Sequence, residues 1–165
     1  MSIILIGFMG AGKSTVAKLL AEEFTDLDKL IEEEIEMPIA TFFELFGEAD
    51  FRKIENEVFE LAVQKYIIIA TGGGIIENPK NLNVLDRASR VVFLTADFDT
   101  LWKRISMDWQ NVRPLAQDKE AAQLLFEKRM KDYSLVADLT IDVTDKSPEQ
   151  IAAVSYTHLT LPTIY

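Results

Sequence analysis

The chain has 165 residues, 48% of them hydrophobic and 27% charged, which suits one domain with a proper core. Its 17 Lys and Arg against 27 Asp and Glu give a formal net charge of −10, which argues against nucleic acid or anionic membrane as a partner. It has no cysteine, which excludes disulfides, a thiolate nucleophile and a thiolate metal site and fits a reducing compartment.

The apolar start "SIILIGF" is too short for a signal peptide and has no basic residue ahead of it. No apolar run is long enough to span a membrane. "IILI", 3–6, stops at a glycine-rich turn and reads as a buried parallel strand. Then comes "GFMGAGKST", 7–15. Gly7, Gly12, Lys13 and Ser14 match G-x-x-x-x-G-K-[ST] between a strand and a helix, the signature of a loop that cradles nucleotide phosphates. Glycines let backbone N–H groups turn toward phosphate oxygens, and the helix N-terminus adds its positive dipole end. The expected nucleotide contacts are Gly10, Ala11, Gly12, Lys13, Ser14 and Thr15. Lys13 would reach the β- and γ-phosphates, and Ser14 would ligate Mg²⁺.

Helical spacing runs from Ser14 to about Phe24, and "FTD", 24–26, reads as a second strand. "DLD", 26–28, ends it. The usual metal-holding Asp is missing after "YIIIA", 66–70, so Asp26 and Asp28 are the nearest carboxylates for metal and acceptor. Alternation across a strand end would point them the same way. Either is also a reasonable helix cap. Residues 29–36 read as a helix with an acidic face. Pro38 suits the first turn of a helix to about Phe46, with Thr41 and Glu44 spaced as a capping box. A helix over 48–64 is expected to bury Ile54, Val58, Leu61 and Ala62, and it sets Arg52 and Glu55 on one face.

"YIIIA" is the next strand, stopped by "TGGG". Three successive glycines suit neither strand nor helix but let backbone amides approach a ligand. A helix follows over 79–87, a strand over 91–94 and a helix over 98–107. Residues 108–118 are polar and lack periodicity, which predicts a mobile loop carrying Arg113. A helix over 120–133 carries Arg129, and "LTIDV", 139–143, is the last strand. "SPEQ", 147–150, predicts a capped helix start. Strand and helix alternate, so the expected fold is α/β, a five-stranded parallel sheet between helical layers.

Together "GFMGAGKST", "DLDKLIEE", "GEADFRKIE", "ATGGG", "NVRPL" and "RMKDY" make the chain resemble the shikimate kinase family over residues 3–153. The resemblance implies a fold of the nucleoside-monophosphate-kinase type, with one domain over 1–153 and a lid at about 108–118. It implies transfer of the ATP γ-phosphate to the 3-hydroxyl of shikimate, with Mg²⁺, in a family that is commonly monomeric, and the absence of a transit peptide favours a bacterial cytoplasmic enzyme. Arg52 and Arg129 would clamp the shikimate carboxylate, and Glu55 would hold Arg52. Asp28 would bind ring hydroxyls and orient or deprotonate the attacking one, and Gly73 and Gly74 would present backbone donors to the acceptor. Asp26 would support Mg²⁺, and Arg113 would close over the phosphates. Adenine would lie near helix 98–107 and the loop after "IDVT", with Arg104 as a stacking partner.

Three features depart from the family pattern, one being a short segment between the P-loop helix and "DLD" that trims a loop rather than the site. Glu36 stands where the family usually has a glycine ending the acidic helix, a left-handed position that costs Glu about 1 kcal/mol. The stretch "VSYTHLTLPTIY", 154–165, breaks the preceding pattern and reads like a translated sequencing adapter. It is expected to be a non-native tail that interrupts the last helix, and it has no assigned function. Two competing readings are another small-molecule P-loop kinase, such as a gluconate kinase, and a nucleotide-binding regulatory module without catalysis. The joint presence of Asp28, Arg52 and Arg129 argues against the first, and that of Lys13, Asp28 and Arg113 against the second.

Overall fold

Short apolar runs make the strands, and glycines or acidic caps end them. The computed structural model describes residues 2–88, 90–107 and 118–160, with side chains described as far as 155. Strands β1 (Ile3–Ile6), β2 (Phe24–Asp26), β3 (Ile68–Ala70), β4 (Arg90–Thr95) and β5 (Leu139–Asp142) form one parallel sheet in the order β2-β3-β1-β4-β5. Ile4, Leu5, Ile6, Ile69, Val92 and Leu94 are fully buried, as strands covered on both faces require.

The helices are α1 (Lys13–Leu20), α2 (Leu27–Ile35), α3 (Ile39–Lys65), α4 (Pro79–Asp86), α5 (Phe98–Met107), α6 (Lys119–Val136) and α7 (Pro148–Thr160). A short 3₁₀ helix, Ile75–Glu77, follows the glycines after β3. Helix α1 packs with α7, α2 with α3, and α4 with both α3 and α6. Tyr133 of α6 lies on Phe93 of β4, with ring centroids 5.0 Å apart.

Several boundaries differ from the sequence-based expectation. Helix α1 stops at Leu20, because Ala21 is already extended (φ −157°, ψ 153°) to bring Phe24 into β2. Helix α2 begins at Leu27, capped by Asp26. Pro38 is the N-cap of α3, one residue outside it, so Thr41 and Glu44 lie inside the helix and form no capping box. The expected break between 46 and 48 is present, with Gly47 at φ 84° inside α3.

The buried face of α3 is Phe51, Glu55, Phe59 and Ala62, while Leu61 is 68% exposed. Of the expected stripe, Ala62 is buried and Ile54 and Val58 are half-buried against the core, while Phe51, Glu55 and Phe59 complete the buried face. The expected cap at 147–150 forms: Ser147 N–H donates to Gln150 Oε1 (2.8 Å), and Gln150 N–H donates to Ser147 Oγ (3.2 Å). Helix α7 then continues to Thr160, so the change of sequence at 154 does not interrupt it, contrary to expectation.

Glu36 closes α2 in the left-handed region, at φ 57° and ψ 33°. Glu36→Gly is expected to stabilise the fold by about 1 kcal/mol. In a chain of this size that is a rise of roughly 2–4 °C in Tm. Calorimetry checks it, and an unchanged or lower Tm would remove strain at this position.

Candidate active site

The strand register brings three chain exits to one rim. Asp26 pairs with Ala70, and Ala70 pairs with Leu5. Asp28, the glycines after β3 and the loop after β1 therefore leave the sheet side by side. The carboxyl edge of an open parallel sheet is where such folds bind ligands.

On the β1 side, Gly10 (φ 80°) and Gly12 (φ 87°) turn the backbone through left-handed conformations into the N-terminus of α1. Ala11 is buried, while Ser14 and Thr15 are exposed in the first turn. Lys13 Nζ donates to the carbonyls of Gly7 and Phe8, the latter at 3.2 Å, so the ammonium folds back over its own loop. Ser14 Oγ is hydrogen-bonded to Asp26 Oδ2, and Asp26 Oδ1 accepts from the Asp28 N–H at 3.0 Å. Capping, rather than strand alternation, thus brings Asp26 and Asp28 together: one ends β2 and the other sits in the first turn of α2. Arg104 donates to the carbonyls of Gly10 (3.4 Å) and Val143 (3.3 Å), bridging this loop and the segment after β5.

On the β3 side, each of three consecutive glycines faces a different side chain. A Cβ on Gly72 would stand 2.7 Å from Asp28 Oδ1. One on Gly73 would stand 3.1 Å from Arg129 Nη1, and one on Gly74 would stand 2.7 Å from Arg52 Cζ. The run of glycines is therefore a floor against which Asp28, Arg129 and Arg52 lie. Gly74→Ala is expected to displace Arg52 and to lower activity at least tenfold, with some loss of stability because the Arg52–Glu55 pair is disturbed. Steady-state kinetics beside a melting curve check it, and unchanged kinetics would detach Gly74 from the site.

Arg52 Nη1 bonds both oxygens of Glu55 (3.1 and 3.2 Å), and Nη2 reaches Glu48 at 3.4 Å and Glu77 at 3.7 Å. Among the described residues, Arg52 Nε is buried without a hydrogen-bond partner. Asn81 Nδ2 donates to Glu55 Oε1 at 3.2 Å. Burial pushes the Glu55 carboxyl up to about 7, against the opposing pull of Arg52. An unfolded Glu55 titrates near 4.5. Between these values the native state holds more protons than the unfolded chain, so this group's contribution to stability falls as pH rises through that window. Glu55→Gln is expected to flatten the fall. Urea unfolding at pH 5 and pH 8 checks it, and an unchanged slope would contradict it.

Arg129, only 7% exposed, donates from Nε to Glu77 Oε1 at 3.0 Å. Burial pushes the Glu77 carboxyl up, but Arg129 and Arg52 outweigh it and hold the group below the usual carboxylate range. Tyr133, one turn beyond Arg129, donates its hydroxyl to the Gly73 carbonyl, and burial pushes that phenol well above its ordinary range.

The structure thus brings Lys13, Ser14, Asp26, Asp28, Arg52, Gly73, Gly74 and Arg129 to one crevice. Arg113 lies outside the described residues, as does all but the last residue of the expected lid. Sequence reasoning missed Gly72, Glu77 and Tyr133. Tyr133 was legible, since it follows Arg129 by four residues on one helix face. Nothing in the sequence distinguished Glu77 from a solvated acid.

Comparisons with known proteins identify the family. The family model described as shikimate kinase matches residues 9–160. A shikimate kinase of Lactococcus lactis subsp. cremoris is 99% identical over 152 residues, covering 92% of this chain and 94% of the relative. The shikimate kinase of Streptococcus gordonii is 45% identical over 157 residues, covering 93% and 98%. The structure of an Acinetobacter baumannii shikimate kinase in complex with shikimate superposes with a TM-score of 0.89 at 31% identity, covering 99% of this chain and 95% of that one. A P-loop facing a glycine floor lined by two arginines and an aspartate is therefore no chance assembly of common motifs: this chain belongs to the shikimate kinase family.

Proposed function

We propose that this chain transfers the γ-phosphate of MgATP to the 3-hydroxyl of shikimate, giving shikimate 3-phosphate and ADP. The observation that carries the reading is the glycine floor, which sets Asp28, Arg129 and Arg52 beside the P-loop at one sheet edge. Phosphoryl transfer asks mainly for positioning and charge neutralisation. Two guanidinium groups in one crevice suit a carboxylate, which they can grip through planar, paired N–H donors. They also offset locally the repulsion that a chain of net charge −10 exerts on anionic substrates.

Asp28 takes the proton of the 3-hydroxyl as its oxygen forms the new bond to the γ-phosphorus. The bond from that phosphorus to the β-bridging oxygen breaks, and ADP leaves. Lys13 swings from its own loop carbonyls to the β- and γ-phosphates, Arg113 closes over them, and Gly73 and Gly74 steady the acceptor.

Ser14 and Asp26 fit a hard cation, since both present oxygen and they already meet. No cluster of three or more metal-ligating side chains occurs among the described residues. That poverty suits Mg²⁺, which keeps several waters and binds phosphate oxygens rather than an all-protein cage. When bound, Mg²⁺ neutralises phosphate charge. No helix of the described residues is long and apolar enough to cross a membrane. The reading is completed by a monomer working in the bacterial cytoplasm, without nucleic acid or membrane as a partner.

Proton and phosphorus NMR of the product tests it. A phosphomonoester coupled to the ring proton at carbon 3, formed only with a divalent cation, is expected. A phosphate on another hydroxyl, or none, would overturn it.

A further inference from the structure

Glu77 has no part in the reading of the site so far, yet it sits between the two arginines that the reading makes the acceptor clamp. One of its oxygens accepts from Arg129 Nε at 3.0 Å, and the other lies 3.7 Å from Arg52 Nη2. The side chains involved are 8% exposed for Arg129, 16% for Arg52 and 21% for Glu77, so the contacts are shielded from solvent more than a surface pair would be. Arg52 already has a dedicated carboxylate in Glu55. Among the described residues, Glu77 is the carboxylate ion-paired with Arg129.

We propose that Glu77 is a positioning residue that holds Arg129, and through it the spacing of the arginine pair, ready for an incoming carboxylate. The inference rests on the proposed clamp and adds a residue to it.

Two arguments support it. The first is directional. Glu77 takes Arg129 by Nε, on the side of the guanidinium, and Nη1 then lies over Gly73. The side-on bond fixes the plane of the fork and keeps its end over the acceptor floor. The second is electrostatic. Two guanidinium groups brought into one crevice repel each other, and a carboxylate between them removes that repulsion before any substrate arrives. Glu77 stands at the end of the 3₁₀ helix that follows the glycine floor, whereas Arg129 stands on α6. The bond therefore ties the floor to the helix that carries the second half of the clamp. Holding a binding group in its bound pose raises affinity by reducing the ordering left to pay at binding.

A contrary role is equally concrete. In it Glu77 merely occupies the substrate's place, so that removing it frees the arginines. The two roles predict opposite changes in shikimate KM. Steady-state kinetics of Glu77→Ala, Glu77→Gln, Arg129→Ala and the double variant Glu77→Ala/Arg129→Ala separate them.

Positioning predicts that Glu77→Ala raises shikimate KM about tenfold, with kcat and ATP KM within twofold of the parent. Glu77→Gln retains an acceptor for Arg129 Nε, so it restores KM to within about threefold. In the Arg129→Ala background, Glu77→Ala has no further effect, because the group it positions is gone. A shikimate KM that is unchanged or lower in Glu77→Ala overturns the inference. So does a parallel rise in ATP KM, or additive effects in the double variant. A parent enzyme with no shikimate-dependent turnover would instead overturn the proposed function, so the two failures are distinct.

Discussion

Asp28→Asn is expected to lower kcat by about 10²–10⁴-fold while nucleotide affinity stays within about twofold of the parent. Asp28 has its backbone fixed by the Asp26 cap, and its carboxylate lies over Gly72, where a Cβ would stand 2.7 Å from Oδ1. That position puts it against the glycine floor and next to Asp26, which bonds Ser14 of the P-loop helix. Asparagine has the same shape and keeps a hydrogen-bonding oxygen, but it cannot receive a proton. A loss confined to kcat, with nucleotide binding retained by equilibrium titration, would mark a group used in the chemical step. A variant with parental kcat would remove Asp28 from proton transfer and leave it an orienting or structural role.

The second large effect is expected at Arg52. Arg52→Ala removes one arm of the proposed clamp and strands Glu55, which is 1% exposed and gripped by Arg52 through both oxygens. Losing one partner of a hydrogen-bonded charge pair with the acceptor carboxylate costs about 2–5 kcal/mol. On that scale kcat/KM for shikimate is expected to fall by roughly two to three orders of magnitude. ATP KM should move little, since the P-loop is carried by β1 and α1 and not by α3. Burial has already pushed Glu55 up to about 7, so the stranded carboxyl can protonate instead of remaining charged, which limits the loss of stability. Arg52→Lys keeps the charge but not the planar fork and should fall between the two. Equal rises in shikimate and ATP KM would count against a clamp specific to the acceptor.

These effects were foreseeable from the sequence to different degrees, and the reasons are physical. The strands were legible because a strand buried on both faces must be apolar throughout, as "IILI" and "VVFL" are. The break at Gly47 was legible as the gap between a helix ending at about Phe46 and an amphipathic helix starting at Glu48. Arg52 and Glu55 were visible as an i, i+3 pair, but not as a buried one. Periodicity counts apolar residues, so it placed Leu61 in the core and left out Glu55, which is buried because Arg52 and Asn81 satisfy it. The joint duty of Asp26 was half visible: cap and metal ligand stood as alternatives, and the structure gives one oxygen to the cap and the other to Ser14. Glu77 was not legible, since its role depends on two arginines 25 residues before and 52 residues after it in the chain.

The most direct test of the account is ADP release from MgATP by this chain, measured with shikimate, with gluconate and with no acceptor. The account predicts rapid release with shikimate and only a slow background in the other two cases. Release that gluconate supports equally well, or that does not depend on any acceptor, would contradict it.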